Sequence, residues 1–352
     1  MSKSRIGKTL SLIKLSKSAY FHNLNQIANK IGKKERIFIV LKDNAYGHGM
    51  MQIAPLASEF GIKRAVTRAL NEAQAISHLF DEILILSHFA DGSEDTSDKY
   101  IYAINDISAL KALKSGVRAL IALDTLMHRH GLNESELQSA LKTAKGRNIR
   151  ICGAYTHYSS ADMMSASFSV QREMFIELKS RFKELCKGLG FNDLFFSSAN
   201  SAACERLNSA DFGDEYVRIG IAQFGYGQFD ESLGLKPVLS LWAQRLSARI
   251  LKKGQSVGYG GAFTASKDMK IATYDLGYGD GLLRYNGTGE LRLANGEPML
   301  GKMSMDSFSC ADSGEQICVF NDANVFARYF NTINYDILVK LMPNITRVVV
   351  ES

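Results

Sequence analysis

The chain has 352 residues, 46% of them hydrophobic and 22% charged, with a formal net charge of +6. This is the balance of a soluble globular protein, and the length exceeds what one compact core usually spans, so a large domain with a smaller companion is expected. The positive charges are scattered, with no basic stripe interleaved with aromatics, which argues against nucleic acid and leaves only a preference for anionic ligands; the apolar runs are too short to span a bilayer, so no membrane partner is expected.

The opening stretch, "MSKSRIGKTLSLIKLSKSAY", carries basic residues but neither a continuous apolar core nor a cleavage site. Behind Ser16 or Ser18 as a cap, Ala19, Tyr20, Leu24, Ile27, Ala28 and Ile31 recur at helical spacing. A buried strand follows and ends at Leu41. Further short apolar runs lie at Arg64–Thr67, Ile83–Leu86, Ile101–Ile104, Ala119–Leu123, Ile151–His157, Leu194–Ala199 and Tyr216–Phe224. Helical segments such as Glu134–Lys145 and Ser169–Leu189 separate them. Eight strand–helix units in roughly 220 residues predict an α/β architecture that starts with an N-terminal (β/α)8 TIM-type barrel. The barrel is assigned to residues 1–238, with residues 1–12 able to pair with the second domain. From residue 239 the texture changes to short strands and turns, with one helix at 333–341 and a last strand in "TRVVVES"; residues 239–352 are expected to form a mostly-β C-terminal domain. Five widely spaced cysteines (Cys152, Cys186, Cys204, Cys310 and Cys318) show no framework pattern, which points to reduced thiols and a cytoplasmic location.

In such barrels the chemistry sits at the C-terminal ends of the strands. Lys42 ends the first strand, in "VLKDNAYGHG"; either its amine escapes into water or it points into a site that uses it. Asp124 and Arg129 follow the fifth strand, His157 ends the sixth, Asn200 and Ser201 follow the seventh, and Arg218 and Gly220 lie on the eighth. "ANSAA" offers a hydroxyl and a helix start, and Gly220 in "RIGIA" lets the backbone approach a phosphate closely. A lysine amine, a phosphate cradle and an arginine together suggest pyridoxal 5'-phosphate held as a Schiff base. His128 and His130 flank Arg129 without further ligands, and no C-x-x-C pair exists, so they read as solvated and no metal is expected.

Seven blocks carry a resemblance. "VLKDNAYGHG", "THYSSAD", "ANSAA", "VRIGIAQFGYG", "SVGYGG", "LGYGDGLLR" and "GKMSMDSF" resemble, in the same order, blocks of the alanine racemases, and the likeness runs from about Ile13 to the C-terminus. The resemblance implies a barrel, a C-terminal β domain and a head-to-tail homodimer whose active sites take residues from both chains. It implies that Lys42 carries the cofactor, and that Tyr46 and Ser201 hold its phosphate by hydroxyls, Gly220 and Ile221 by backbone N–H. Arg218 faces the pyridine nitrogen. His157 bridges Arg218 to Tyr259 of the other chain, and Arg129 reaches the cofactor's phenolate oxygen. Tyr278, Met305 and Asp306, from the second domain of the other chain, shape the way in for substrate and its carboxylate site. Inverting Cα needs a base on one face and an acid on the other: Lys42 and Tyr259. A free tyrosine titrates near 10, so Tyr259 needs a cation close by, which the chain through His157 to Arg218 supplies. Arginine also withholds a proton from the pyridine, which disfavours a long-lived carbanion and restricts transamination.

Four positions depart from the family pattern. Ala122 stands where many members carry a carbamylated lysine that orients the arginine, so either a bound anion or water holds Arg129 or Arg129 is looser. Leu126 replaces a usual glycine, Ser197 a usual histidine near Arg218, and Thr346 a phosphate-binding tyrosine. The leading expectation is interconversion of L- and D-alanine supplying D-alanine for peptidoglycan. The alternatives are a racemase of serine or a broader range, an amino-acid decarboxylase of the same architecture, or a non-catalytic cofactor-binding protein. "SVGYGG" with "GKMSMDSF" argues against the decarboxylase, and the second domain with Tyr259 against the binding protein.

Overall fold

The structure is a computed structural model and describes residues 11–229 and 233–352. The first strand, β1 (Leu12–Ser16), is not a barrel strand. The barrel is built by β2 (Ile37–Val40), β3 (Arg64–Thr67), β4 (Glu82–Ile85), β5 (Tyr100–Ile104), β6 (Arg118–Ala122), β7 (Arg150–Tyr155), β8 (Phe195–Ser197) and β9 (Val217–Ile219). These eight strands pair in parallel, each with its sequence neighbour, and β9 returns to β2 through Ile37↔Val217. A single bridge, Ser197↔Tyr216, links β8 to the residue before β9 and closes the ring. The strands read as unbroken runs such as IFIV and RALIA, without polar alternation, because both faces are covered and nearly every position is buried. Gly153 lies where β6 and β7 slip register: its φ is 139°, and a Cβ there would come within 1.8 Å of the Phe195 carbonyl oxygen.

Local chemistry fixes where the intervening helices begin and end. Asp106 caps Ile107–Ala112 by accepting from Ala109 N–H at 2.7 Å. Glu136 reaches back to Asn133 N–H at 3.0 Å to start Glu134–Gly146. Ser167–Leu189 stops at Gly190, whose φ of 83° few other residues adopt. The eighth run, expected as one strand from Tyr216 to Phe224, breaks instead after Ile219: Gly220 ends it and a 3-10 turn covers Ile221–Phe224.

The second unit is organised by β10 (Leu239–Leu251), followed by β11 (Ser256–Val257), β12 (Phe263–Thr264), β13 (Met269–Tyr274), β14 (Phe308–Ala311), β15 (Gln316–Phe320) and β16 (Thr346–Val350). β10 is long enough to pair with β1, β13 and β15, and it shifts register between Arg245 and Ser247 and again at Leu241. β16 runs parallel to β1 on that strand's other edge. Leu251, Ala265, Ile271 and Leu300 form a core with Val257, Phe263 and Met269 against it. The expected helix at 333–341 spans Asn334–Val339, and a second one, Ala323–Tyr329, precedes it.

The expected division at 238/239 follows chain order; the contacts group the chain differently. The described residues up to Tyr20, Asn44–Ile53 and Lys236–Ser352 form one compact unit, and Phe21–Asp43 with Ala54–Leu235 form the other. Of residues 1–12, residues 1–10 lie outside the described residues, while Leu12 pairs with Trp242 and Thr346. Among the described residues, no helix is long and apolar enough to cross a membrane.

Candidate active site

The barrel strands deliver Lys42, Arg129, His157, Ser201, Arg218, Gly220 and Ile221 to their C-terminal ends or the turns that follow. Leu41 N–H still donates to Val66 O at 2.8 Å, so the ladder runs to the residue before Lys42. The Lys42 amine lies 3.9 Å from the Asp43 carboxylate, and its side chain is 37% exposed, so that pair is loose and leaves the amine accessible.

Arg218 is the opposite case. It is 5% exposed on β9, and its Nη1 donates to Ser197 Oγ at 2.6 Å. Its Nη2 donates to the carbonyls of Thr156 at 2.5 Å and Ser198 at 3.5 Å. Its guanidinium also lies 5.2 Å from the ring centre of Tyr155. Every one of these partners is neutral. Burial without a counter-charge pulls the Arg218 pKa down to about 10, which still leaves it protonated at neutral pH. Tyr155 in turn donates to Asn105 Oδ1 at 3.2 Å, and burial pushes its phenol up to about 12.

His157 follows β7. Crowding by the barrel wall first, then the charges of Arg218, Arg129 and Lys42, hold its pKa below the ordinary imidazole value. Its side chain keeps open surface, so water moderates the shift, but burial and cations all act in one direction, toward a neutral ring. Among the described hydrogen bonds none joins His157 to Arg218; the guanidinium bonds instead to the carbonyl of the preceding residue, Thr156.

Arg129 is exposed on the loop after β6 and lines a small pocket with Ala122, His130, Tyr155, Thr156 and His157. The loop is tied by Asp124, which accepts from Met127 N–H, His128 N–H and His128 Nδ1 at 2.9–3.1 Å. The His128 ring, held against Asp124, is 74% exposed. Leu126, in place of the usual glycine, sits at φ 71°.

At the ends of β8 and β9, Ser201 Oγ accepts from Gly220 N–H at 3.0 Å and from Ala222 N–H at 3.3 Å. The Ile221 N–H lies between these two in sequence. Asn200 caps the following turn through Ala203 N–H at 2.9 Å and donates to Tyr158 O. Gln223, which the sequence reading passed over, pins this turn by donating to the carbonyls of Val40, Ile219 and Gly220. A hydroxyl and successive backbone N–H groups, carried at the C-terminal ends of the same barrel's strands as Arg218 and the accessible Lys42 amine, are the donor set that a phosphorylated pyridine aldehyde requires, and the residues fit that group.

Tyr46, Tyr259, Tyr278, Met305 and Asp306 belong to the other unit. Asp43, Asn44, Ala45 and Tyr46 have φ of 52–54°, a left-handed turn made of non-glycine residues. Such a turn costs about 1–2 kcal/mol per residue and persists only where its surroundings enforce it. Asn44 supplies two restraints, accepting from Gly49 N–H through its carbonyl and from Met50 N–H through Oδ1, both at 2.9 Å. His48 is fully buried below Tyr46, and burial lowers its pKa to about 3.

Tyr259, 62% exposed, rides on a turn between β11 and β12. Gly301 packs beside that turn, where a Cβ would meet Val257 O at 2.5 Å. Tyr278 lies on the turn Tyr278–Asp280, whose Gly279 N–H donates to Met305 O at 2.8 Å. Segment 301–306 is thus flanked by the Tyr259 and Tyr278 turns. Met303 is buried, whereas Met305 (55% exposed), Asp306 and the two tyrosines face outward.

Two family descriptions cover nearly the whole chain: alanine racemase, N-terminal domain, over residues 15–228, and alanine racemase, C-terminal domain, over residues 238–349. The chain belongs to the alanine racemase family. It is 59% identical over 338 residues to the alanine racemase of Campylobacter curvus, covering 96% of this chain and 99% of that one. With the Campylobacter jejuni alanine racemase it shares 52% over 341 residues, 97% of this chain and all of the other. Among solved structures, an alanine racemase from Bacillus anthracis with bound L-Ala-P superposes with a TM-score of 0.85 at 26% identity, over 98% of this chain and 96% of that one. One from Bartonella henselae with covalently bound pyridoxal phosphate has the same fold, with a TM-score of 0.80 at 24% identity, over 97% and 99% of the two chains. The barrel arginine of this chain is held by neutral acceptors, and Ser197, one of the positions that departs from the family pattern, supplies one of them.

Proposed function

We propose that Lys42 and Tyr259 are the two proton-transfer groups of this protein, and that a second copy of the chain supplies Tyr259. The activity follows from the family: the protein interconverts L-alanine and D-alanine and uses pyridoxal 5'-phosphate. When bound, the cofactor acidifies the Cα–H of the amino acid attached to it. Ser201, Gly220 and Ile221, with Tyr46, hold the phosphate. Lys42 Nζ takes or returns the proton on one face of Cα, and Tyr259 Oη serves the other. His157, kept neutral, has one N–H and one lone pair, so it can accept from a cation on one side and donate to the Tyr259 oxygen on the other. Arg129 pairs with the cofactor's phenolate oxygen, and Tyr278, Met305 and Asp306 admit the substrate and bind its carboxylate.

The observation that carries this reading is Arg218, buried and protonated among neutral acceptors. It faces the ring with a fixed positive charge and gives up no proton, so charge does not settle into the ring and Cα is reprotonated quickly. The outward cluster of Tyr259, Tyr278, Met305 and Asp306 supports a site completed between copies in a homodimer. A cytoplasmic location and supply of D-alanine for peptidoglycan are the roles that fit. The test is α-proton exchange in deuterated water with L-alanine and, separately, L-serine. Alanine should exchange and invert much faster than serine. Binding of the cofactor without exchange on either amino acid would overturn the assignment.

A further inference from the structure

We propose that Arg347 is a positioning residue for cofactor binding: its guanidinium locks the turn that carries Tyr46. Arg347 lies on β16, the last strand, and no role above uses it. It makes six hydrogen bonds, all to backbone carbonyls. Nε and Nη2 both grip Gly47 O, at 3.0 and 2.8 Å, across 300 residues of sequence. Nη1 donates to the carbonyls of Met342, Pro343 and Ile345, and Nη2 to that of Leu341, at 2.8–3.3 Å. One planar cation therefore ties the residue after Tyr46 to carbonyls of the link between the helix Asn334–Val339 and β16. The fork geometry matters, because a lysine ammonium cannot straddle Gly47 O and still reach the second set.

The contact falls where the chain needs restraint. The residues just before Gly47 are the left-handed stretch Asp43–Tyr46, which relaxes unless it is held. Gly47 itself, at φ 80°, presses so closely on that helix that a Cβ would stand 1.9 Å from Leu338 O. The Tyr46 ring packs against Tyr335 of the same helix, centroids 5.7 Å apart. Tyr46 is thus aimed by the C-terminal segment 334–347 of its own chain, and Arg347 is the polar half of that clamp. Burial lowers the Arg347 pKa, as expected for a cation held only by carbonyl dipoles.

The inference rests on the reading of Tyr46 as a phosphate ligand, and the test separates the two. Affinities for pyridoxal phosphate and for pyridoxal, which lacks the phosphate, are measured for wild type, Tyr46→Phe, Arg347→Lys and Arg347→Met. Loss of an aimed hydroxyl should shrink the preference for the phosphorylated form by at least about tenfold, the size of one hydrogen bond to a charged group, in Tyr46→Phe and in both Arg347 variants, with pyridoxal binding unchanged. A lost preference in Tyr46→Phe but not in the Arg347 variants overturns the positioning role alone. An unchanged preference in Tyr46→Phe overturns the phosphate reading, and the positioning role falls with it. Parallel weakening of both ligands in the Arg347 variants, or variants that do not fold, also overturns the proposal, because the guanidinium would then hold the whole unit rather than the turn.

Discussion

The barrel strand ends and the outward turns of the second unit place functional groups by different physics. Arg218 is buried, and its Nη1 and Nη2 donate to acceptors of its own unit, so side-chain hydrogen bonds fix its orientation. Around Tyr259 and Tyr278 the backbone is fixed instead, by close glycine approaches and by Gly279 N–H on Met305 O, while the side chains project into solvent. A buried group is over-determined by its own chain; an exposed one is held only as far as its Cα. Substitutions at the first kind should therefore cost both stability and catalysis, and substitutions at the second kind catalysis alone.

The largest effects set the two regions against each other. Lys42→Ala should lower alanine racemisation by about 10⁴-fold or more and abolish the visible absorbance of lysine-linked cofactor. An unchanged spectrum would remove Lys42 from the centre of the scheme. Tyr259→Phe should cost about 10²–10⁴-fold in turnover with urea unfolding unmoved, since the phenol is exposed. Mixing the two inactive variants should restore part of the activity. No recovery after demonstrated subunit exchange would place both groups in one chain.

On the buried side, Ser197→Ala deletes the acceptor 2.6 Å from Arg218 Nη1 and leaves a charged N–H unmatched in the wall. Stability in urea should fall by about 1–3 kcal/mol, with a smaller loss of turnover than for Tyr259→Phe. If stability is unchanged while turnover collapses, Ser197 acts on the chemistry and not on the frame. A gentler probe is pH. The fully buried His48 titrates at about 3 when folded, against about 6.5 unfolded. Between those values the unfolded chain binds the extra proton, so stability rises with pH across this window. It is lost as the pH falls from 6.5 toward 3, at up to about 1.4 kcal/mol per pH unit from this one group. His48→Gln should flatten that limb in urea titrations; an equally steep limb would assign it to other groups.

The same divide explains what could be read from the sequence. All eight barrel strands show as apolar runs because both faces of each are covered, and the strand-end rule then points to Lys42, His157 and Arg218. Long-range pairing was only partly legible. The sequence allows residues 1–12 to pair with the second domain, but it does not show that β1 runs on to Ser16 between β10 and β16, more than 200 residues away in the chain. Residues 44–53 share a unit with the C-terminal part for the same reason. Gln223 and Thr156 were missed because each acts through a carbonyl or an amide in contacts that carry no local pattern. The left-handed turn after Lys42 runs against propensity outright, since none of its four residues is a glycine.

The smallest effect is expected at Leu126, and it tests whether the Arg129 loop stores strain. Its φ of 71° is a conformation that an L-residue with a bulky side chain pays for, and the side chain is 44% exposed, so little packing offsets the cost. Leu126→Gly relieves the steric penalty but gives the unfolded chain more freedom, and the two terms are of similar size, roughly 1 kcal/mol each. Net stability should therefore rise by no more than about 1 kcal/mol, read as a small upward shift of the urea midpoint. The functional consequence has the other sign. Arg129 lies three residues on, in the stretch that Asp124 ties through the N–H groups of Met127 and His128, so a freer backbone should raise KM for alanine more than it lowers kcat. A midpoint shift that corresponds to a loss of more than about 1 kcal/mol would mean that Leu126 packs in solution and that its backbone conformation is stabilised by contact rather than held against strain.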